Sequence, residues 1–471
     1  MSHDPSTTGV AERPNTSAVL RISIIAAFGG FLFGYDSAVI NGAVSAIQEE
    51  FGVSPGPLGF AVASALLGAA AGAFFGGRIA DRLGRVPVMK IAAVLFLVSA
   101  IGCGVVESFE WLIFWRIVGG VGVGVASIIA PAYIAEIAPA TVRGRLGSLQ
   151  QMGIVLGIFI SLAVDAWLAA LAGGSGEPLW WGLEAWRWMF MAEAVPALAY
   201  LIGAFTIPES PRYLVAEGRA DEARAVLTDL QGEASATERV RLIQQTLRTE
   251  RKPRMSDLKG RMAGLKPIVW VGIGLAALQQ FVGINVIFYY SNVLWQSVGF
   301  TEADSFTITV ITSVTNVVVT VVAIALVERV GRRRLLLIGS GGMTLMLGTL
   351  AVIFATAPLV DGAPVLGPTA GPVALVAANL FVVFFGVSWG PMMWVLLGEM
   401  FPNQIRGAAL AVAGFVQWIA NWVVTVTFPA LAAASLGLAY GLYAFFALVS
   451  LLFTIRMVRE TTGIELEDMA D

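Results

Sequence analysis

Twelve apolar stretches run through this chain of 471 residues, at 20–43, 58–78, 87–106, 112–133, 148–170, 187–207, 267–295, 304–327, 334–357, 375–398, 408–431 and 436–457. Each is close to the ~20 residues a helix needs to cross a bilayer. Hydrocarbon offers no water to backbone amides, so such stretches can fold only as helices that satisfy their own hydrogen bonds. Composition agrees. Hydrophobic residues make up 57% and charged residues 13%, against about 25% charged in a soluble domain. That surplus cannot all be hidden in a water-facing core. The expected class is an all-α membrane protein, and its first stretch reads as a span rather than a cleaved signal because it is long and carries Asp36.

The spans fall into six plus six, and the charges repeat with them. Glu136-x-x-Pro139-x-x-x-Arg143-Gly144 returns 263 residues later as Glu399-x-x-Pro402-x-x-x-Arg406-Gly407. Asp81-Arg82-Leu83-Gly84-Arg85 returns after 247 residues as Glu328-Arg329-Val330-Gly331-Arg332. Parallel halves of apolar helices are an architecture of secondary transporters. The expected organisation is a polar tail at 1–18, a six-helix bundle at 19–209, a linker at 210–264, a second bundle at 265–460 and a tail at 461–471. Within the linker, Ala216 to Asp229 and Thr237 to Glu250 read as surface helices, with Pro211 and Pro253 as boundaries.

Lysine and arginine are sorted by loop. Neither occurs in 44–57, 107–111, 171–185, 298–303, 358–374 or 432–436, whereas the alternate loops and the linker are basic. The positive-inside rule then puts both termini and the linker in the cytoplasm.

Gly68, Gly72 and Gly76 recur every four residues in the second span, and Gly120, Gly122 and Gly124 mark the fourth. Such stripes let helix backbones approach closely. The duplicated charges could simply set topology. Their matched spacing argues for more: ion pairs between the halves that close the inner side, each weak enough to break on opening.

Two ionisable residues lie deeper, Asp36 in the first span and Arg116 in the fourth. A lone charge in hydrocarbon costs at least about 2.5–3.5 kcal/mol, so each should pair or face a wet cavity. A carboxyl holds its proton better when buried and less well beside a guanidinium. Motion that changes the distance between Asp36 and Arg116 would therefore couple to a proton. A static ion pair is the alternative. The other deep polar residues are mostly amides: Gln150, Gln151, Gln279, Gln280, Asn285, Asn316, Gln417 and Asn421, with Trp389 and Trp394 flanking a break expected at Gly390-Pro391. Gly283 should loosen the seventh span. Any one amide could serve only to join helices. Together, amides that donate and accept and an aromatic face suit a hydroxyl-rich ligand such as a sugar.

Other classes fit poorly. Cys103 and His3 are single, so no disulfide, no cysteine metal cluster and no metal or cofactor site is expected. No catalytic constellation lies in the spans. The glycine run has the wrong spacing for a nucleotide loop, and nothing points to nucleic acid. A sensor would need an output module, and only about a dozen residues follow the last span.

The residues resemble the sugar-porter branch of the major facilitator superfamily. The resemblance spans about 20 to 465 and rests on Gly29-Gly30-Phe31-Leu32-Phe33-Gly34-Tyr35-Asp36, Gly77 to Arg85, Pro208-Glu209-Ser210-Pro211-Arg212-Tyr213-Leu214, Gln279 to Asn285 and Ser388-Trp389-Gly390-Pro391. It implies the major facilitator fold, with twelve transmembrane helices in two bundles and cytoplasmic helices between them. By it, Gln151, Gln279, Gln280, Asn285, Trp389 and Gln417 match sugar contacts, with Asn316, Tyr290, Trp394 and Asn421 nearby. Asp36 matches the proton-binding carboxylate and Arg116 its partner. The cytoplasmic gate set is Asp81, Arg82, Arg85, Glu136, Arg143, Glu209, Glu328, Arg329, Arg332, Glu399 and Arg406. The chain departs from the family at Arg459-Glu460-Thr461, which lacks the usual proline, and at Gly386, where several relatives carry Glu. The implied activity is symport of a monosaccharide, D-glucose first, with a proton across the plasma membrane by a monomer in the lipid bilayer. A uniporter on the same fold is the nearest alternative.

Overall fold

The structure is a computed structural model describing residues 15–139, 142–249, 255–360, 363–402 and 404–460, apart from the side chains at 143–145, 234, 249, 327–328, 359–360 and 363. The expected tail at 461–471 and most of that at 1–18 lie outside the described residues. The first half contains α1 (Thr16–Ala38), α2 (Ile40–Phe51), α3 (Pro55–Leu83), α4 (Arg85–Gly104), α5 (Phe109–Ile137), α6 (Arg143–Ala172), α7 (Ala185–Ala192) and α8 (Ala194–Ala204). The linker forms α9 (Pro211–Ala216), α10 (Ala220–Gln231) and α11 (Glu233–Thr249). The second half contains α12 (Pro267–Phe281), α13 (Ile284–Ser297), α14 (Glu302–Val330), α15 (Arg332–Ala355), α16 (Ala370–Gly386), α17 (Trp389–Met400), α18 (Arg406–Ala434) and α19 (Leu436–Met457).

Eleven spans are long and apolar enough to cross a membrane, with α1–α2, α12–α13 and α16–α17 each forming one. The twelfth is α7–α8, divided at Glu193 into pieces too short to qualify separately. Span 1 begins at Thr16, inside the expected polar tail, because Asn15 caps it: its side chain accepts from Ala18 N at 3.2 Å. The linker has three helices where two were expected, since Gly218 at φ 78° ends the first turn after Pro211. Their small core of Leu214, Val215, Ala223, Leu227, Ala236 and Val240 is separate from the membrane core.

Breaks decide the shape of the second half. Gly283 adopts φ 79°, so α12 and α13 meet at the residue expected to loosen that span. The break before α17 falls at Val387–Ser388, earlier than Gly390-Pro391, because proline is tolerated in the first turn of the helix that follows. In the first half the glycine stripes do the expected work. A Cβ on Gly68 or Gly72 would land on the carbonyls of Ile117 or Val121, and one on Gly120 or Gly124 on those of Ala65 or Ala69, so α3 and α5 touch backbone to backbone. Gly122 is the exception and faces Ala92 of α4.

Candidate functional site

Asp36 and Arg116 come together as expected, each 2% exposed. Their contact is loose. Arg116 Nη1 lies 3.7 Å from Asp36 Oδ1 and donates instead to the Asp36 main-chain oxygen at 2.9 Å. Nη2 reaches Val62 O at 3.5 Å. Asp36 Oδ2 is left without a partner, as is Arg116 Nε. Close packing keeps the carboxyl dry, for a Cβ on Gly119 would sit 2.8 Å from Asp36 Oδ1. The Phe190 ring lies 5.8 Å from the guanidinium.

Two further carboxyls belong to this half, and neither was among the expected site residues. Glu193, 1% exposed at the α7–α8 break, is within electrostatic reach of both Asp36 and Arg116. Asp165 of α6 is fully buried, with both oxygens unpartnered. The sequence signal was available, since both are acids inside apolar spans. Only the fold places one of them beside the Asp36 pair.

In the second half four amides form a chain. Gln417 Nε2 and Gln280 Nε2 both donate to Gln279 Oε1 at 3.1 Å, and Asn285 Nδ2 donates to Gln280 Oε1 at 2.6 Å. Gln279 Nε2 is anchored on the main-chain oxygens of Trp389 at 3.0 Å and Gly390 at 3.3 Å, groups near the broken span. Gln279 and Gln280 are 4% and 6% exposed, while Asn285 and Gln417 are half-buried. The chain is thus fixed at its root and accessible at its ends. Tyr290 donates to Thr425 O at 2.9 Å, and Thr425 to Asn421 Oδ1 at 3.2 Å, which joins those two on the neighbouring turn. Tyr289, not expected, lies against both Asn421 and Ser37, the residue after Asp36.

Other expected contacts are placed differently. Trp389 is fully buried, and its indole N–H donates to Ser340 Oγ at 2.8 Å, so its ring faces α15 rather than open space. Trp394 is 42% exposed beside Gly414. Gln151 is half-buried, Asn316 packs near Gly386, and among the described residues no hydrogen bond joins either to the amide chain. Gln150 has both polar atoms unpartnered against Gly30.

At the basic face the two halves repeat each other in space. Arg85 donates to both oxygens of Glu136, at 3.1 and 3.0 Å, and lies 3.3 Å from Asp81. Arg332 donates to Glu399 at 2.9 Å. Glu209 accepts from the first amides of α4, Arg85 N and Val86 N, at 3.0 and 3.1 Å. Glu460 does the same for α15 through Arg332 N and Arg333 N, at 2.9 and 3.1 Å. These contacts join residues within one half; the pairs between the halves were expected only with the inner side closed. Arg406 turns back to Phe401 O at 3.0 Å instead of meeting Glu399. Arg82 and Arg329 are exposed. The side chains of Arg143 and Glu328 lie outside the described residues. Hydrogen bonds between the halves are found at the opposite face, whose loops lack Lys and Arg, where Ser175 N donates to Glu302 Oε1 at 3.0 Å and Asn41 meets α13.

The family described as "Sugar (and other) transporter" matches residues 22–471. This chain belongs to that family. The transporter is 56% identical to the "Glucose transport protein" of Synechocystis sp. over 99% of its own length and 100% of that protein's. It is 38% identical to the "D-xylose-proton symporter" of Escherichia coli strain K12, covering 97% and 96% of the two chains. Among solved structures, the proton:xylose symporter XylE bound to 6-bromo-6-deoxy-D-glucose is 36% identical, with a TM-score of 0.78 over 97% of this chain and 99% of that one. The inward-open conformation of XylE gives 0.81, at 36% identity over 96% and 99%. The fold is therefore the major facilitator fold, and the protein is a sugar transporter rather than an enzyme.

Proposed function

We propose that the transporter carries a hexose, D-glucose first, together with a proton, by alternating access across the plasma membrane. The positive-inside rule makes the basic face cytoplasmic. With these cross-half bonds on the opposite face, the transporter is then read as inward-facing. The observation that carries proton coupling is the unpartnered Oδ2 of Asp36 in a dry site, beside a guanidinium whose one close hydrogen bond goes to the Asp36 main-chain oxygen. A carboxyl so placed can hold a proton, and a small change in its distance from Arg116 shifts the balance between the protonated and ionised forms. Glu193 lies within electrostatic reach of the same pair. The relatives named as glucose transport protein and xylose-proton symporter support the two parts of this reading separately.

In the cycle, outward-facing protein takes a proton on Asp36. Sugar then binds between the halves at the accessible ends of the Gln417–Gln279–Gln280–Asn285 chain. Tyr289, lying between Ser37 and Asn421, links the two events. Occlusion and inward opening follow, and sugar and proton leave to the cytoplasm. In the outward-facing state Arg85, Glu136, Arg332 and Glu399 would exchange partners across the halves and close the inner side.

Asp36→Asn tests this in proteoliposomes. The variant is expected to exchange labelled glucose at near wild-type rate but to lose accumulation driven by an imposed proton gradient. Accumulation at the wild-type level would remove Asp36 from coupling. The second reading is a uniporter on the same fold, since proton coupling is named only for the less similar of these relatives. It predicts no pH change on adding sugar to the wild type.

A further inference from the structure

At the face opposite the basic one, Asn41 of α2 makes several of the hydrogen bonds between the halves. Its Nδ2 donates to Phe288 O at 2.8 Å, and its Oδ1 accepts from Asn292 N at 3.1 Å. Phe288 and Asn292 stand four apart in α13, so they are the acceptor and donor ends of a single helical rung. The carboxamide of one half clips both ends of that rung in the other. Asn292 answers with its own amide, Nδ2 reaching Asn41 O at 3.5 Å while Oδ1 accepts from Thr309 of α14 at 3.1 Å. Asn41 is 1% exposed, and Asn292 and Thr309 are each 2%. Buried polar groups are costly unless bonded, and here they are bonded to one another.

Gly42 ties this contact to the rest of its half. A Cβ there would stand 2.8 Å from both Asp165 Cβ and Met189 Sδ, so α2 is seated directly on α6 and α7. Displacement of Asn41 therefore moves with the bundle instead of being absorbed by a loose helix.

We propose that Asn41 is the latch of the face opposite the basic one, a positioning residue whose hold on the Phe288–Asn292 rung keeps the two halves closed on that side. Release costs α13 little, because the rung's own ends bond each other once the carboxamide withdraws, and water takes up the freed amide. The latch thus biases the equilibrium without locking it. This rests on the rocking of the halves and not on proton coupling, so it survives if Asp36 proves uncoupled.

Spin labels on Glu49→Cys in α2 and Ser297→Cys in α13, both exposed positions, read the opening directly in a Cys103→Ala background. In the purified transporter, Asn41→Ala is expected to raise the ratio of long- to short-distance populations about tenfold, the size of effect that two lost hydrogen bonds carry. Asn292→Ala, which keeps the backbone rung but loses the answering amide, is expected to raise it about threefold. If Asn41→Ala does not fold, Asn292→Ala and Thr309→Val provide the same reading. Ratios within twofold of the parent in well-folded variants, or a shift toward the short distance, would overturn the latch.

Discussion

The two halves share an outer wiring and differ inside. At the basic face Arg85–Glu136 and Glu209 on α4 have their counterparts in Arg332–Glu399 and Glu460 on α15. Deeper in, the first half holds Asp36, Arg116, Glu193 and Asp165, all buried ionisable groups, and packs α3 against α5 through glycine. The second half holds neutral amides on spans broken at Gly283 and Ser388. Duplication supplied two equal frames. Charge sits in the half packed through glycine and most of the amide chain beside the Gly283 break of the other, the division on which the proposed function rests. A broken helix can reposition hydrogen-bonding groups, whereas a dry charge needs fixed surroundings.

The strongest way to break this contrast is through the glycines. Gly120→Ala puts a methyl onto the Ala65 carbonyl, where no rotamer can yield, and is expected to cost about 3 kcal/mol. Gly386→Ala in the second half meets side chains rather than backbone, Val319 Cγ1 at 2.7 Å and Asn316 Oδ1 at 3.8 Å, and is expected to cost less, about 1 kcal/mol. Thermal unfolding in detergent compares the two, and equal losses would contradict a difference in rigidity.

A smaller effect is expected at the amide chain. Gln280→Ala removes a donor to Gln279 and the acceptor for Asn285. It should weaken glucose binding by roughly 10- to 100-fold, about 1–3 kcal/mol, while the melting temperature stays close to the parent's. Calorimetric titration returning parental affinity would take the sugar contacts away from this chain.

The shared frame predicts matched losses. Glu209→Ala and Glu460→Ala each uncap one helix and should each cost about 1 kcal/mol. Chemical denaturation of both variants measures this, and a twofold disparity would show that the halves are no longer equivalent at the basic face.

Asp165→Asn should give the smallest change, within about 0.5 kcal/mol and in the stabilising direction, because the carboxyl it replaces has no partner. Proton-driven accumulation should persist. Its loss in Asp165→Asn but not in Asp36→Asn would move the proton to the other carboxyl.

Much of this was legible from residue order. The break at Gly283 was readable because glycine takes φ near +80° without strain, and the one expected at Gly390-Pro391 was readable to within a turn, since proline favours the start of a helix. The glycine stripe foretold contact of α3 with α5, since four-residue spacing puts small residues on one helix face. Partner choice was not legible. Glu136 and Arg85 could have been assigned across the halves or within one, and Trp389 could have faced a sugar or Ser340. Each choice turns on rotations about helix axes that a list of residues leaves free.

Residue order alone determined twelve apolar spans in two like sets, the sorting of lysine and arginine to one side and the chemistry available at depth. Those follow from local rules: backbone hydrogen bonds must close within lipid, and Lys and Arg favour the cytoplasmic loops. Tertiary structure alone decided that Arg116 spends its hydrogen bonds on main-chain oxygens and leaves Asp36 half unpartnered, that Glu193 joins them, and that Asn41 reaches the rung of a helix almost 250 residues away. Those depend on distances between helices, which packing sets and sequence spacing does not.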